Sequence, residues 1–304
     1  MAKKKLSDVG KAIIDSTNAA IDPKLIDVVL TTPSGYPRDQ SMMDTTEMMR
    51  GVAGVREFPS KYWIEPKDWK DRARENDENK TWPDDWANRF TKQGNSHECT
   101  THSLIQQLEI AINRAAATKK YAVWLSPLSV YAEANPGKWG GANIQTVLRI
   151  AIERGVLPSH NGPGGIGSQK TKFKATLNES WGHNEPEFAG GPWVAVSKFP
   201  AGWENTSRHF APIECINCDS REEMICLILH GIAVGVGRNG HAVPLTKAVW
   251  QANEEMPIAA YRDSYNVIRY DSWATLKKGV GGSHGIVTVR VPDDWSRPAG
   301  ADQK

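Results

Sequence analysis

The sequence predicts an α+β fold, with a helical part first and antiparallel strands after it. Two observations carry this reading. Apolar residues recur at helical spacing through the first half of the chain, and runs rich in Val and Ile with strand character gather in the second. At 304 residues the chain is long enough to bury a sizeable core. The net charge of +2 comes from Lys and Arg interleaved with Asp and Glu, so no long basic face argues for nucleic acid or an anionic membrane surface. No apolar run approaches the roughly 18 to 20 residues of a membrane span. The basic opening at Lys3, Lys4 and Lys5 runs into Ser7 and Asp8 rather than into a secretory core, as expected of a cytoplasmic protein. Four cysteines, Cys99, Cys215, Cys218 and Cys226, are too few and too clustered for a disulfide framework, which points to a reducing compartment.

Residues 6–30 read as one or two short helices, with Leu6, Val9, Ile13 and Ile14 at helical spacing and a restart at Pro23. Turns follow at Pro33 to Gly35 and at Pro37. Four of the seven methionines, Met42, Met43, Met48 and Met49, fall in 41–55, soft side chains suited to an arm that packs on the body. The charged stretch 65–80 reads as a solvated helix and a boundary. The expected organisation is an N-terminal extension over 1–80, a main domain over 81–293 and a tail over 294–304. The extension is an arm that could dock an assembly partner or act as a pro-segment.

From Cys99 the apolar positions Leu104, Leu108, Ala111, Ile112 and Ala115 define a helix with one buried face. Its unpaired first-turn amides put the positive end of the helix dipole on the Cys99 sulfur, which favours the thiolate. A cysteine so placed is a candidate nucleophile. Gln93 and Gly94 precede it by six and five residues, in a short polar loop from which an amide side chain can reach an oxyanion. Val123 to Tyr131 follows, then the Gly140-Gly141 pair, then a helix from Ala142 closed by Gly155. Residues 158–192 are rich in Gly and Pro and read as loop. Strand character is expected from Gly191 to Val196 and through Phe210 to Ile216, followed by a capped helix from Ser220 to His230. Further strands are expected over 231–237, over Ile258 to Arg262 and over Gly285 to Val291.

Taken in this order, Gln93-Gly94, Cys99 opening a buried helix, Gly140-Gly141, a helix ending in Gly155 and His241-Ala242-Val243 opening a strand resemble the papain-like cysteine peptidases. The resemblance runs from about Trp82 to Asp293. The separation of Cys99 from His241 is 142 residues, inside the roughly 130 to 150 typical of that family. The local signature is incomplete, because Ser96 to Thr100 lacks the glycine, the first cysteine and the aromatic residue that flank the family's nucleophile. Residues 1–80 lie outside it and lack the spaced Glu, Arg, Phe and Asn pattern of the best-known propeptides.

The resemblance implies a two-lobed fold, a helical left lobe led by the Cys99 helix and an antiparallel right lobe carrying His241. It implies Cys99 as nucleophile, His241 as acid and base, and Gln93 with the Cys99 amide as oxyanion donors. Gly140 and Gly141 would line the cleft and align an extended peptide or protein substrate. The family's third group is an asparagine, and here two aspartates compete for its place. Asp263 ends a strand at a distance from His241 that suits a simple hairpin, and Asn266 beyond it tolerates positive φ. Asp271 has the better aromatic neighbour in Trp273 and the better spacing to the last strand. Asp263 is preferred. No metal or organic cofactor is implied. Other readings stay open: a papain-fold structural or virion-associated component with weak or no activity, phage-encoded forms included, and a thiol amidase or transferase on the same triad. His97, Glu98 and His102 miss the zinc-protease pattern, since the histidines are five apart instead of four. Cys215 and Cys218 have ligand-like spacing but no second pair.

Overall fold

The computed structural model describes residues 52–87, 89–93, 97–116, 123–136, 141–160, 162, 173–177, 196–238, 240–251, 254–276 and 282–290. The expected helices of 6–30, the methionine-rich stretch 41–51, Gly94, Gly140, most of the glycine-rich loop and the tail lie outside these residues.

The described chain mixes helices with a seven-stranded sheet. The elements in order are β1 (Val55–Arg56), α1 (Trp69–Asn79), α2 (Pro83–Trp86), α3 (Cys99–Ala115), α4 (Leu128–Ala134) and α5 (Ile144–Arg154). They continue with α6 (Trp203–Ser207), β2 (Pro212–Cys218), α7 (Arg221–Leu229), β3 (Val234–Arg238) and β4 (His241–Val249). β5 (Ile258–Asp263), β6 (Val267–Asp271), α8 (Trp273–Leu276) and β7 (Ser283–Val289) complete the set. The strand order is β1-β2-β7-β3-β4-β5-β6, antiparallel throughout except where β1 runs parallel to β2.

Local chemistry explains the boundaries. The Asn143 side chain caps α5 by accepting from the amides of Gln145 at 2.8 Å and Thr146 at 3.4 Å. Gly155 ends that helix with φ of 76°, and a Cβ there would fall 2.0 Å from the Ser207 carbonyl oxygen. Only glycine fits. Ser220 and Glu223 form the reciprocal capping box expected of α7.

Two cores lie on opposite faces of the β2 and β7 strands. Cys215 and Ile286 join Leu104, Leu108, Val147, Leu148 and Phe210 on the side of α3 and α5. Ile216, one residue on from Cys215, joins Met224, Leu227, Tyr261, Trp69 and Trp82 on the side of α1 and α7. The sheet is therefore buried by helices on both faces, and α3 runs along one of them; its apolar spacing predicted one buried face, and the structure buries its polar side as well.

Residues 52–80, read from sequence as part of an N-terminal extension, pack on the main body: β1 pairs with β2, Trp69 and Ala73 enter the second core, and Asn76 donates 2.9 Å to the Leu229 carbonyl. The polar composition of α1 masked this, since three buried side chains anchor an otherwise solvated helix. The strand expected up to Val196 is instead a single 3-10 turn over Val196–Lys198, with 191–195 outside the described residues. The final strand begins two residues earlier than its Gly285 start, at Ser283.

Candidate active site

The site forms where the start of α3 meets the start of β4. Cys99 is the first residue of α3 and is 8% exposed, and His241 is the first residue of β4 and is 4% exposed. Each acts on the other's acidity through hydrogen bonding and charge. On its other side, His241 Nε2 lies 3.1 Å from Asp263 Oδ1 at the end of β5. Asp263 Oδ1 also accepts from the Tyr265 amide at 3.3 Å, and Oδ2 accepts from Arg269 Nε at 2.7 Å. The Tyr265 ring packs 5.9 Å from the imidazole centroid. Cys99, His241 and Asp263 thus form one contact chain drawn from three elements.

Burial alone would push the Cys99 thiol up, but the bond and charge of His241, helped by the Ala242 and Thr100 amides, bring its pKa down. Burial alone would push the imidazole down; the Asp263 bond and the sulfur lift His241 to about 9. For Asp263, burial works against ionisation, and the His241 bond and charge followed by that of Arg269 carry the carboxyl below its ordinary value. The three groups bias one another toward thiolate, imidazolium and carboxylate.

Asp271 is engaged elsewhere. Its carboxylate takes both Nε and Nη2 of Arg238, the latter at 2.9 Å, and the Arg238 guanidinium also lies over the Tyr261 ring. A turn from the Asp263 carbonyl to the Asn266 amide, with Asn266 at φ of 65°, closes the hairpin that sets Asp263 facing the imidazole.

Gln93 is 4% exposed and doubly tied to the residue after Asp263. Its amide donates 3.0 Å to the Ser264 carbonyl, and its Oε1 accepts from Ser264 Oγ at 2.7 Å. With Oε1 accepting from Ser264, the NH2 is the donor end of the carboxamide. The loop carrying Gln93 is braced from the sheet, where Arg262 reaches Asp84 at 2.6 Å and the Arg89 carbonyl at 2.7 Å. Gly141 is half-buried, two residues ahead of the Asn143 cap.

Sequence reasoning missed Ser264, Tyr265 and Arg269 as parts of this arrangement. Ser264 and Tyr265 adjoin Asp263 and were legible as its neighbours. Arg269 was not, because its contact depends on the β5 to β6 register, in which Tyr261 pairs with Arg269 and Asp263 with Val267. Glu98 and His102, one turn apart on α3, are both fully buried with Nε2 3.5 Å from Oε2. Cys215 and Cys218 face opposite sides of β2, so they cannot share a ligand. All four cysteines are free thiols, and no cluster of three metal-ligating side chains occurs among the described residues. No helix among the described residues is long and apolar enough to cross a membrane.

No family model matches the chain, and no curated protein matches it. Among solved structures it is similar to Xylellain, a cysteine protease from Xylella fastidiosa, at 12% identity and a TM-score of 0.44 over 67% of this chain and 83% of that one. It is also similar to the digestive procathepsin L 3 of Tenebrio molitor larval midgut, at 11% identity and a TM-score of 0.48 over 92% and 88%. A third is proCathepsin B S9 from Trypanosoma congolense, at 7% identity and a TM-score of 0.48 over 88% and 98%.

Proposed function

We propose that the chain is a papain-like cysteine peptidase that cleaves peptide bonds through Cys99, His241 and Asp263. The single observation that carries this reading is the unbroken side-chain chain from the sulfur through the imidazole to the carboxylate, with the sulfur on a helix N-terminus. The charge states it favours are those acyl transfer needs. The Cys99 thiolate attacks the scissile carbonyl carbon, and the oxygen takes up the negative charge between the Cys99 amide and the Gln93 carboxamide. His241 then gives its proton to the departing amine nitrogen as the carbon to nitrogen bond breaks. Water next loses a proton to His241 and attacks the thioester, which releases the acid and restores the thiolate and imidazolium pair. Asp263 holds the ring in the productive orientation throughout. Gly141 would let an extended peptide lie close to the enzyme backbone.

The test is labelling by iodoacetamide followed by cleavage of a peptide library. Rapid stoichiometric alkylation at Cys99 in wild type, slowed in His241→Ala, together with cleavage abolished in Cys99→Ala, is the expected result. Labelling without cleavage of any peptide would overturn the peptidase reading. It would leave an amidase or transferase on the same groups. Absence of enhanced labelling would leave only a scaffold.

A further inference from the structure

Three of the buried groups at the site carry charge in the active state, and they do not cancel. Thiolate, imidazolium and carboxylate sum to one negative charge. A neutral amide in the third position would leave a sum of zero. The side chains of His241 and Asp263 are only 5% and 4% exposed, so solvent cannot screen the surplus, and an unanswered charge in such a place is strongly unfavourable.

Asp263 divides its two oxygens between two cations. Oδ1 faces His241, while Oδ2 receives the Arg269 Nε at 2.7 Å, and the Arg269 side chain is itself only 12% exposed. The guanidinium reaches it diagonally across the hairpin, from two residues beyond the position paired with Asp263. The other charged and titratable groups around the site do not supply that charge. Arg238 from β3 is committed to Asp271 of β6. Tyr261 on β5 is pushed up by burial and stays a neutral phenol. On α3, burial holds His102 below its ordinary value, against Glu98.

We infer that Arg269 is a positioning residue that offsets the charge an aspartate brings to the third position, so that the thiolate and imidazolium sit in a locally neutral surround. This rests on the peptidase reading for its use, but its physical content is the protonation of Cys99 and His241, which is measured without a substrate. Losing the guanidinium leaves one excess negative charge beside both groups, which makes thiolate harder to form and imidazolium harder to discharge. Both equilibria then move to higher pH.

The experiment follows the pH dependence of Cys99 alkylation by iodoacetamide and of the His241 ring signals by NMR. It uses the full chain and the variants Arg269→Gln, Arg269→Lys and the double variant Asp263→Asn with Arg269→Gln. Arg269→Gln should raise both inflections by about one pH unit. Arg269→Lys should hold them near the wild-type positions, and the double variant, neutral at both places, should return them there. Unmoved inflections in a folded Arg269→Gln protein would overturn the inference. So would a double variant as displaced as the single one, since Arg269 would then be only a brace. Should Arg269→Gln not fold, Asp263→Asn alone is compared with the double variant. The single should then titrate lower at both groups, and equality would overturn the inference. Peptide cleavage is scored separately: shifted inflections in a chain that cleaves nothing sink the peptidase reading and leave the charge offset intact.

Discussion

Cys99 and His241 alter each other's acidity because neither has much water around it. On the proposed mechanism, the active window should be bounded below by thiolate formation at Cys99 and above by proton loss from His241 near pH 9. In His241→Ala, the alkylation inflection should return to the ordinary thiol range of about 8.5 or higher, as read by iodoacetamide kinetics across pH. Asp263→Ala should lower kcat/KM by about a hundredfold or more through loss of ring orientation. Asp271→Asn, which strips a buried arginine of its carboxylate, should instead cost about 3 kcal/mol of stability and leave cleavage per folded molecule nearly unchanged. Paired denaturation and cleavage assays separate the two.

Both aspartates end a strand before a polar turn, and sequence alone could only prefer one. The difference is three-dimensional, in that Arg238 claims Asp271 from across the sheet. His284 gives a second pH handle. It is buried beside a cavity of about 10 Å³, with Thr100, Gln107 and Ala242 among its walls, and burial holds its pKa down at about 4. The unfolded chain takes up this proton near pH 6.5 and the folded chain only near 4. Stability should therefore be complete above 6.5 and fall between those values, by about 3 kcal/mol. Replacing His284 by Gln should flatten that stretch of the stability curve in urea titrations across pH.

At the scale of elements, the helices were the most legible parts. The Cys99 helix, the helix closed by Gly155 and the Ser220 capping box were all readable, because periodicity and caps are local signals. The strand from His241 was legible through the family resemblance, and the one from Ile258 as a short apolar run ending at Arg262. What stayed hidden was pairing: nothing local says that β7 inserts between β2 and β3, or that β1 joins the sheet at all. The Gly155 end of α5 offers a sharp check. Gly155→Ala demands a positive φ and places a methyl group 2.0 Å from the Ser207 carbonyl oxygen. A loss exceeding about 2 kcal/mol is expected, seen as a lowered midpoint in thermal unfolding, with the alkylation profile of Cys99 unchanged in the protein that remains folded.

For the molecule as a whole, the residues ahead of the expected boundary at 80 matter. Val55 and Arg56 extend the sheet, the Ile64 amide and carbonyl contact the Cys226 sulfur, and Trp69 is 2% exposed in the second core. A chain begun at residue 81 should therefore lose cooperative unfolding, as judged by calorimetry, because it forfeits one flank of that core. The composition of 65–80 concealed this: a stretch dense in charge reads as solvated, and a few anchoring side chains reverse the conclusion.

The bond between Gln93 and Ser264 ties together positions separated by 171 residues. A ribosome emits the thiol long before it emits the imidazole, the carboxylate or the serine that steadies the amide. At the usual pace of translation, about 5 to 20 residues per second, the nascent chain spends on the order of ten seconds with its sulfur exposed to chaperones but chemically ordinary. The sulfur gains its imidazole and carboxylate neighbours only after residues 241 and 263 have also emerged.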